Sequence, residues 1–423
     1  MKQPELIARQ RYLDRALLFR DTDLIKVITG VRRCGKSSLL AMVRDTIESE
    51  GDEKRSFVSL NLESGSCQIS TQRELYNYFR DRLSPEGKTY IFLDEPQRIE
   101  GWQIAVNAMR VDFDCDIYLT GSNAFLLSSE LSTYLSGRYV EVKMLPLAMR
   151  EYLDFCGISF GNSSAALAPN GEIMLFDDLL ERYLKFGGMP AIASLSTTQE
   201  VHSTYMSSLY DAVVTRDILN RERLQGLSKV TDALLLSRIV DFLSDNVGNQ
   251  LSMKSIADTL TSAGTKTTNK TVDSYVTALN DAYLFYRASR FDLHGKEILR
   301  TNPKQYIVDL GLRAYLGGYR TSDMGRLFEN AVYLQLLFQG WRVHVGKLYS
   351  SEVDFIAIKD GRVVYIQVTD EMISEGTRQR ELKPLKTLRD AHEKIVVVRQ
   401  GRYEADIDGI RIVTAKDFFL ENW

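Results

Sequence analysis

This sequence is poor in the residues that most often signal metal or redox chemistry. Its four cysteines (Cys34, Cys67, Cys115 and Cys156) include no C-x-x-C pair, and its four histidines (His202, His294, His344 and His392) show no metal-ligand spacing. Neither a disulfide framework nor a zinc site is expected, and the thiols read as reduced. No apolar run reaches the roughly 18 residues that a membrane-spanning helix needs. The start, Met1-Lys2-Gln3-Pro4-Glu5, has no apolar signal core, so a cytoplasmic protein without a membrane partner is expected. Neither sign of charge dominates: Lys+Arg 53 against Asp+Glu 56 give a formal net charge of -3. That balance excludes global basicity as a nucleic-acid signature and leaves room only for a local patch. What remains is bulk. At 423 residues, 44% hydrophobic and 26% charged, the chain is an ordinary globular one. Its length allows about three domains.

Against that background, Gly30-Val31-Arg32-Arg33-Cys34-Gly35-Lys36-Ser37 matches G-x-x-x-x-G-K-[ST] in full. The apolar run Leu24–Thr29 precedes it and Ser38-Leu39-Leu40-Ala41-Met42-Val43 opens a helix, the strand–loop–helix setting in which such a loop cradles phosphates. Gly30 and Gly35 permit backbone conformations and a close approach that side chains would obstruct. The amides of the loop and of the helix start, Ser38 included, then face the phosphates. Lys36 is expected to reach the β- and γ-phosphates, and the Ser37 hydroxyl to help hold Mg²⁺. Cys34 sits inside the loop, where an oxidant would interfere with the nucleotide.

A second apolar run, Tyr90-Ile91-Phe92-Leu93, ends in Asp94-Glu95. Asp94 is placed for the Mg²⁺ shell and Glu95 for the base that activates a water. A third run, Asp116-Ile117-Tyr118-Leu119-Thr120, ends in Gly121-Ser122-Asn123, where Ser122 and Asn123 are candidates for sensing the γ-phosphate or orienting water. With Phe57–Leu62 and Tyr139–Lys143 these make five strands separated by helices, an α/β fold with a P-loop parallel sheet covered on both faces. The polar end of the third run resembles the sensor position of AAA-type ATPases, in which that strand lies between the phosphate-loop and carboxylate strands. No Asn-Lys-x-Asp guanine-reading motif follows a strand, since Asn269-Lys270 opens a polar helix. ATP is thus expected over GTP.

Composition divides the rest. The ATPase block is expected over 1–155, and a Gly-, Ser-, Ala- and Asn-rich linker over 156–171. A helical lid over 172–228 is broken at Phe186-Gly187-Gly188-Met189-Pro190. Over 229–318 three helices (from Ala233, Leu251 and Asn269) and a hairpin describe a winged helix-turn-helix, the third helix introduced by Lys266 and Lys270. Asp273, Asp281 and Asp292 interrupt the basic residues, so contact with DNA and contact with protein both stand. Over 319–423 a small α/β domain follows. Its helix glutamate Glu329, strand aspartate Asp354 and next-strand Gln367 occur in an order resembling the PD-(D/E)xK nuclease core. Gln367 replaces the second carboxylate and Thr369 the lysine, so a degenerate nuclease-like site is expected unless another lysine, such as Lys347 or Lys359, takes over. Arg342, Lys347 and Arg362 are candidates to line a groove.

Taken together, the chain resembles the uncharacterised prokaryotic AAA-type ATP-binding proteins that carry a C-terminal domain of unknown function. The segments that carry the resemblance are Gly30–Ser37, Ile91–Glu95, Leu119–Asn123, Leu135–Tyr139, Leu145–Leu153, Asn302–Lys304, Val308–Leu312 and Gly325–Asn330. It implies an ATPase domain, a lid, a winged helix and a nuclease-like fold, with ATP and Mg²⁺ as ligands. Arg138 and Arg150 are candidates for an arginine that touches the γ-phosphate, in cis or from a neighbour in a homo-oligomer; each reads equally as a structural arginine paired to a carboxylate. Three functions stand: an ATP-driven switch whose C-terminal modules bind DNA, a nucleotide-gated protein scaffold, and an ATP-controlled nuclease.

Overall fold

A computed structural model describes residues 6–423 apart from 66, 85–86, 124–134, 162, 195–197, 221–229, 296 and 350. The start at Met1–Glu5 and the end of the expected lid, 221–228, therefore lie outside the described residues. The chain forms two compact units, one running to Leu145 with Asp281–Tyr283, the other comprising Pro146–Asn280 and Leu284–Trp423.

In the first unit, α1 (Gln10–Leu17) leads into β1 (Ile25–Gly30), α2 (Lys36–Glu48), β2 (Ser56–Asn61), α3 (Gln72–Arg80), β3 (Thr89–Asp94), α4 (Trp102–Asp112), β4 (Cys115–Gly121) and β5 (Tyr139–Met144). The five strands are parallel in the order β2-β3-β4-β1-β5. β4 thus lies between the phosphate-loop strand and the carboxylate strand, as the resemblance implied. Every residue of β1 and β3 is buried, which is why both read as predominantly apolar runs. Lys26 is the one cation in β1, and its buried ammonium pairs with Asp116 of the neighbouring β4. Helix α3 begins on a capping box: Thr71 accepts from the Glu74 amide (3.2 Å) and Glu74 accepts from the Thr71 amide (3.1 Å). Its Leu75 and Phe79, four residues apart, enter the core beside Trp102 and Val106 of α4.

The second unit begins earlier than the expected boundary at 155. Helix α5 (Met149–Phe155) belongs to it, and Tyr152 packs edge-on against Tyr183 (5.4 Å) of α6 (Phe176–Phe186). The expected linker is also partly structured. Ala165–Leu167 (β6) pairs antiparallel with Ile173–Leu175 (β7) across Pro169-Asn170-Gly171, where Gly171 takes φ +86° and the Asn170 side chain accepts from the Glu172 amide. A turn sequence between two short strands had the composition of a linker. Helices α7 (Pro190–Ser194) and α8 (Gln199–Asp211) follow, the latter continuing as a wider π-type turn over Ala212–Asn220.

Next come α9 (Ala233–Asp245), α10 (Met253–Ser262), α11 (Asn269–Asp281), β8 (Phe285–Asp292) and β9 (Glu297–Ile307), the three helices and hairpin that were expected. The hairpin, however, is no separate wing. β8 pairs in parallel with β10 (Arg342–Lys347) through Arg290–Val345 and Phe291–Gly346. Adding β11 (Glu352–Lys359), β12 (Arg362–Thr369), β13 (Glu393–Val398), β14 (Asp406–Ile407) and β15 (Ile410–Thr414) gives one eight-stranded mixed sheet, ordered β14-β15-β13-β12-β11-β10-β8-β9. The boundary expected at 318/319 disappears because an outer strand of that sheet needs a partner for its backbone groups, and β8 supplies it. Helices α12 (Leu310–Gly317), α13 (Met324–Phe338), α14 (Glu375–Thr387) and α15 (Ala415–Phe419) complete the unit. Among the described residues no helix is long and apolar enough to cross a membrane.

One buried carboxylate ties the glycine turn of the lid to α12. Asp309, 2% exposed, accepts from the amides of Gly188 (2.7 Å) and Leu312 (3.1 Å). Gly187 must be glycine because its φ is +80° and a Cβ there would strike the Asp309 carboxylate. Burial pushes the Asp309 carboxyl from 3.8 up to about 6, against the pull of the amides. A carboxyl with a folded-state pKa above its unfolded one binds its proton more tightly when folded. Its stabilising contribution is therefore full below about pH 4 and is lost as pH rises through about 6, an effect of order 3 kcal/mol. Asp309→Asn is expected to remove this slope, read as the difference between parent and variant in urea unfolding at stepped pH. Parallel pH profiles for the two would contradict it.

Candidate functional site

The phosphate loop closes over the C-terminal end of β1. Gly30 takes φ +146°, and a Cβ there would collide with the Met144 carbonyl at the end of β5. Arg33 and Gly35 also adopt positive φ (+64° and +103°), which turns the chain sharply into α2. Gly35 is the N-cap of α2 and has no side chain to cap it, so the first-turn amides of Lys36, Ser37 and Ser38 face outward as an anion site. The Arg32 side chain leaves the loop to pair with Glu63 (2.7 Å), which Arg98 also holds (2.8 Å). Against the penalty of burial, the two arginines keep the Glu63 carboxyl below its ordinary range. Val31 and Cys34 are buried beneath the loop. Lys36 is 5% exposed, and its Nζ donates to the carbonyls of Gly30 (3.1 Å) and Val31 (3.2 Å), inside the loop it would lend to a phosphate.

The carboxylates arrive by register. Asn61 of β2 is level with Asp94, and the pairing of Leu93 with Leu119 sets Thr120 of β4 on its other side. Asp94, 6% exposed, accepts from Asn61 Nδ2 (3.1 Å), from the Thr120 hydroxyl and from Ser37 Oγ (3.1 Å). The Thr120 hydroxyl in turn accepts from the Glu95 amide (3.0 Å). Glu95 sits at φ +57°, a left-handed conformation unusual for a glutamate, and its carboxylate accepts from Gln97 and from Ser122 Oγ (3.3 Å). Buried Asn123 follows at the end of β4. Gly30–Ser38, Asp94, Glu95, Ser122 and Asn123 thus meet at one end of the sheet.

The donor set fits the expected ligands. Ser37 Oγ and Asp94 Oδ1 are hard oxygen atoms converging beside the open amides of α2. Among the described residues no group of three or more His, Cys, Asp and Glu forms a metal cage. Mg²⁺ on phosphates needs none, since it takes one or two protein oxygens and completes its shell with phosphate and water.

Arg138 does not join this site. It precedes β5, where Ile25 pairs with Tyr139 and Gly30 with Met144. It is therefore a whole strand, roughly 20 Å, from the loop of its own chain, and its guanidinium donates to Asn107 (3.2 Å). Arg150 is exposed on α5 in the second unit, where it draws down the burial-raised carboxyl of Asp154. Asn61, Thr120 and Gln97 were not singled out in sequence; the only signal was a polar residue at each strand end or just beyond.

The second unit brings Asp354 and Gln367 together, with the Asp354 amide donating to Gln367 Oε1 (3.4 Å) and Asp354 Oδ2 accepting from the Val368 amide (2.8 Å). Gln367 Nε2 donates to Glu381 of α14 (3.1 Å), and the Thr369 hydroxyl turns to the Glu371 carbonyl. Lys304 of β9 brings a cation to this acidic group. Its Nζ lies 3.0 Å from Glu329 and 2.6 Å from Glu352, and Tyr306 also donates to Glu329 (2.6 Å). Burial works against the charge of Lys304, but Glu329, Asp354 and Glu352 together raise its pKa. Burial first and then Glu329 push the Asp354 carboxyl well above the ordinary range, with Lys304 pulling it back. Lys347 and Lys359 do not serve here: Lys347 pairs with Asp292 (3.3 Å) and Lys359 donates to the Gln339 carbonyl. Arg362 is paired with Glu393 and lies against the Trp341 ring.

A family model described as an AAA domain matches residues 22–153, and one described as a domain of unknown function (DUF8612) matches residues 177–323. An uncharacterized protein of Haemophilus influenzae is 38% identical over 418 residues, spanning 98% of this chain and 99% of that protein. The uncharacterized protein MJ1544 of Methanocaldococcus jannaschii is 27% identical over 397 residues, 93% of this chain and 82% of its own length. Among solved structures, the Aeropyrum pernix ORC1 protein in complex with DNA shares 15% identity at a TM-score of 0.28, over 73% of this chain and 91% of that one. On the full-length match, this chain belongs to the same family as the Haemophilus influenzae protein, with an AAA domain followed by a domain of unknown function in its own sequence.

Proposed function

We propose that this protein binds Mg-ATP and hydrolyses it slowly, and that the cycle switches a second unit that binds DNA without cutting it. The observation that carries the first half is the chain Ser37–Asp94–Thr120–Glu95–Ser122, in which Thr120 links the metal-side pair Ser37 and Asp94 to the water-side pair Glu95 and Ser122. When nucleotide enters, Lys36 exchanges two loop carbonyls for phosphate oxygens. Ser37 and Asp94 would hold Mg²⁺, which would neutralise phosphate charge. Glu95 accepts the proton of the water that attacks the γ-phosphorus as the bond to the β-phosphate oxygen breaks and ADP leaves. Ser122, bonded to Glu95 before nucleotide arrives, is placed to exchange that bond for the γ-phosphate.

For the second unit, the order α13, β10, β11, β12, α14, β13, with β12 and β13 parallel, supports the nuclease-like resemblance. Gln367 and Thr369 argue against cutting, and the Lys304 ammonium is already taken up in ion pairs with Glu329 and Glu352. Lys266 and Lys270, exposed at the start of α11, support DNA as the ligand.

Lys36→Ala is expected to weaken ATP binding by at least ~10-fold, since a charge-assisted contact is lost. DNA binding is measured in a salt series with and without nucleotide. A steep salt dependence that changes with nucleotide is expected, while no DNA binding would favour a protein partner. DNA cleavage in Mg²⁺ or Mn²⁺ that vanishes on Asp354→Ala would promote the nuclease reading. Arg138, remote from its own loop, serves this chemistry only from a second copy, so turnover per subunit that rises with protein concentration belongs to the same test.

A further inference from the structure

Arg9 is a cation that neither the phosphate loop nor the carboxylate strand accounts for. It precedes α1, is 4% exposed, and its Nη1 donates to two carbonyls at once: Cys34 in the phosphate loop (3.0 Å) and Leu145 just after β5 (2.9 Å). The guanidinium lies over the ring of Tyr12 (4.6 Å), and the hydroxyl of that same Tyr12 accepts from the Leu145 amide (3.1 Å). Both polar groups of the Leu145 backbone are therefore held by the Arg9–Tyr12 pair. The loop meets the same stretch from its other side: Gly30 packs on the Met144 carbonyl so closely that a Cβ would not fit, and Cys34 Sγ lies 4.0 Å from it.

Leu145 is also where the first compact unit ends, with Pro146 opening the second. We infer that Arg9 is a positioning residue that couples the phosphate loop to the point where the chain leaves the ATPase unit. The inference rests on the ATPase reading above. Nucleotide entry takes Lys36 from the carbonyls of Gly30 and Val31 and so re-sets the loop that contains Cys34. A displacement of the Cys34 carbonyl loads the guanidinium, and the same nitrogen also donates to the Leu145 carbonyl. A planar fork stacked on a ring transmits such a shift because its donors are fixed relative to one another. A lysine ammonium, a point charge on a flexible stem, does not.

The test compares the full-length parent with Arg9→Lys, Arg9→Ala and Tyr12→Phe. Binding is followed with a fluorescent ATP analogue, turnover by phosphate release, and the Met144–Leu145 amides by hydrogen exchange with and without nucleotide. In the parent, nucleotide is expected to change exchange at Met144–Leu145. Arg9→Lys, which keeps the charge and the fold, is expected to raise KM about tenfold with kcat within about twofold, and to abolish the nucleotide response at Leu145. Arg9→Ala is expected to do the same more strongly if it folds; Arg9→Lys carries the test if it does not. Tyr12→Phe is expected to speed Leu145 exchange in both states while leaving KM unchanged. Nucleotide binding with an unchanged exchange response in Arg9→Lys overturns the coupling and leaves the ATPase reading intact. Absence of nucleotide binding by the parent overturns both.

Discussion

Glu95→Gln is expected to bind ATP within about twofold of the parent and to turn it over about 10²- to 10⁴-fold more slowly, the range for removal of a general base. Binding should survive because the loop amides, Lys36 and Ser37 would hold the nucleotide and its Mg²⁺, while the Glu95 carboxylate bonds to Gln97 and Ser122. The backbone should survive too: at the left-handed Glu95 the backbone N–H donates a hydrogen bond to the Thr120 hydroxyl, which a change of side chain leaves in place. Glutamine also keeps an oxygen to accept from Ser122. What it lacks is a lone pair basic enough to take a proton from water. The variant should therefore accumulate the ATP-bound state, seen as ATP retained after gel filtration in Mg²⁺. Parent-like phosphate release by Glu95→Gln would remove Glu95 from the mechanism and direct attention to Asp94.

A companion change separates base from sensor. Ser122→Ala removes one donor to the Glu95 carboxylate while leaving Gln97 in place, so its cost should be far smaller than that of Glu95→Gln. An equal cost would mean that orientation of Glu95, more than its basicity, limits the reaction.

Much of the first unit was legible because its signals are local. The phosphate loop is eight consecutive residues, and β1 and β3, buried along their whole length, are mostly apolar. The position of β4 beside β1 was readable only through the resemblance. Thr120 and Asn61 were not readable, because they reach Asp94 through strand register, which no stretch of sequence encodes by itself. The distance of Arg138 from the loop of its own chain was unreadable for the same reason: proximity to a glycine says nothing about which end of a strand a residue occupies. In the second unit the helices and hairpin were found but their partition was not. Whether β8 is a free wing or a strand of a larger sheet depends on an edge supplied by β10, more than fifty residues later in the sequence. The acidic group was located and its cation missed, since Lys304 comes from β9, well before Glu329, and no spacing rule links the two.

That missed lysine makes the strongest stability prediction. Lys304→Met keeps an apolar stem of similar length and deletes only the ammonium, leaving Glu329, Glu352 and Asp354 facing one another in a mostly buried cleft. The side chains of Lys304, Glu329 and Glu352 are 6%, 16% and 23% exposed, so solvent screens little of the lost attraction. Breaking a buried pair in this way costs about 3–5 kcal/mol at neutral pH. The pH dependence follows from Asp354. Its folded-state pKa is already raised, by burial and by Glu329, and Lys304 is an influence pulling it down. Without Lys304 it rises further, and a carboxyl raised on folding is most stabilising when protonated. The deficit of the variant should therefore shrink as pH falls below neutrality and be greatest at pH 7 and above, where parent Lys304 stays charged because its own pKa is raised. Adding Glu352→Gln to Lys304→Met should recover part of the loss at pH 7, since it removes one of the facing charges while Gln250 keeps an amide oxygen to donate to. Urea unfolding of the four proteins (parent, both singles and the double) at neutral and mildly acidic pH measures all of this in one cycle. A Lys304→Met variant as stable as the parent at pH 7, or a deficit that does not shrink with acid, would show that the ammonium is not the cation that neutralises this cleft.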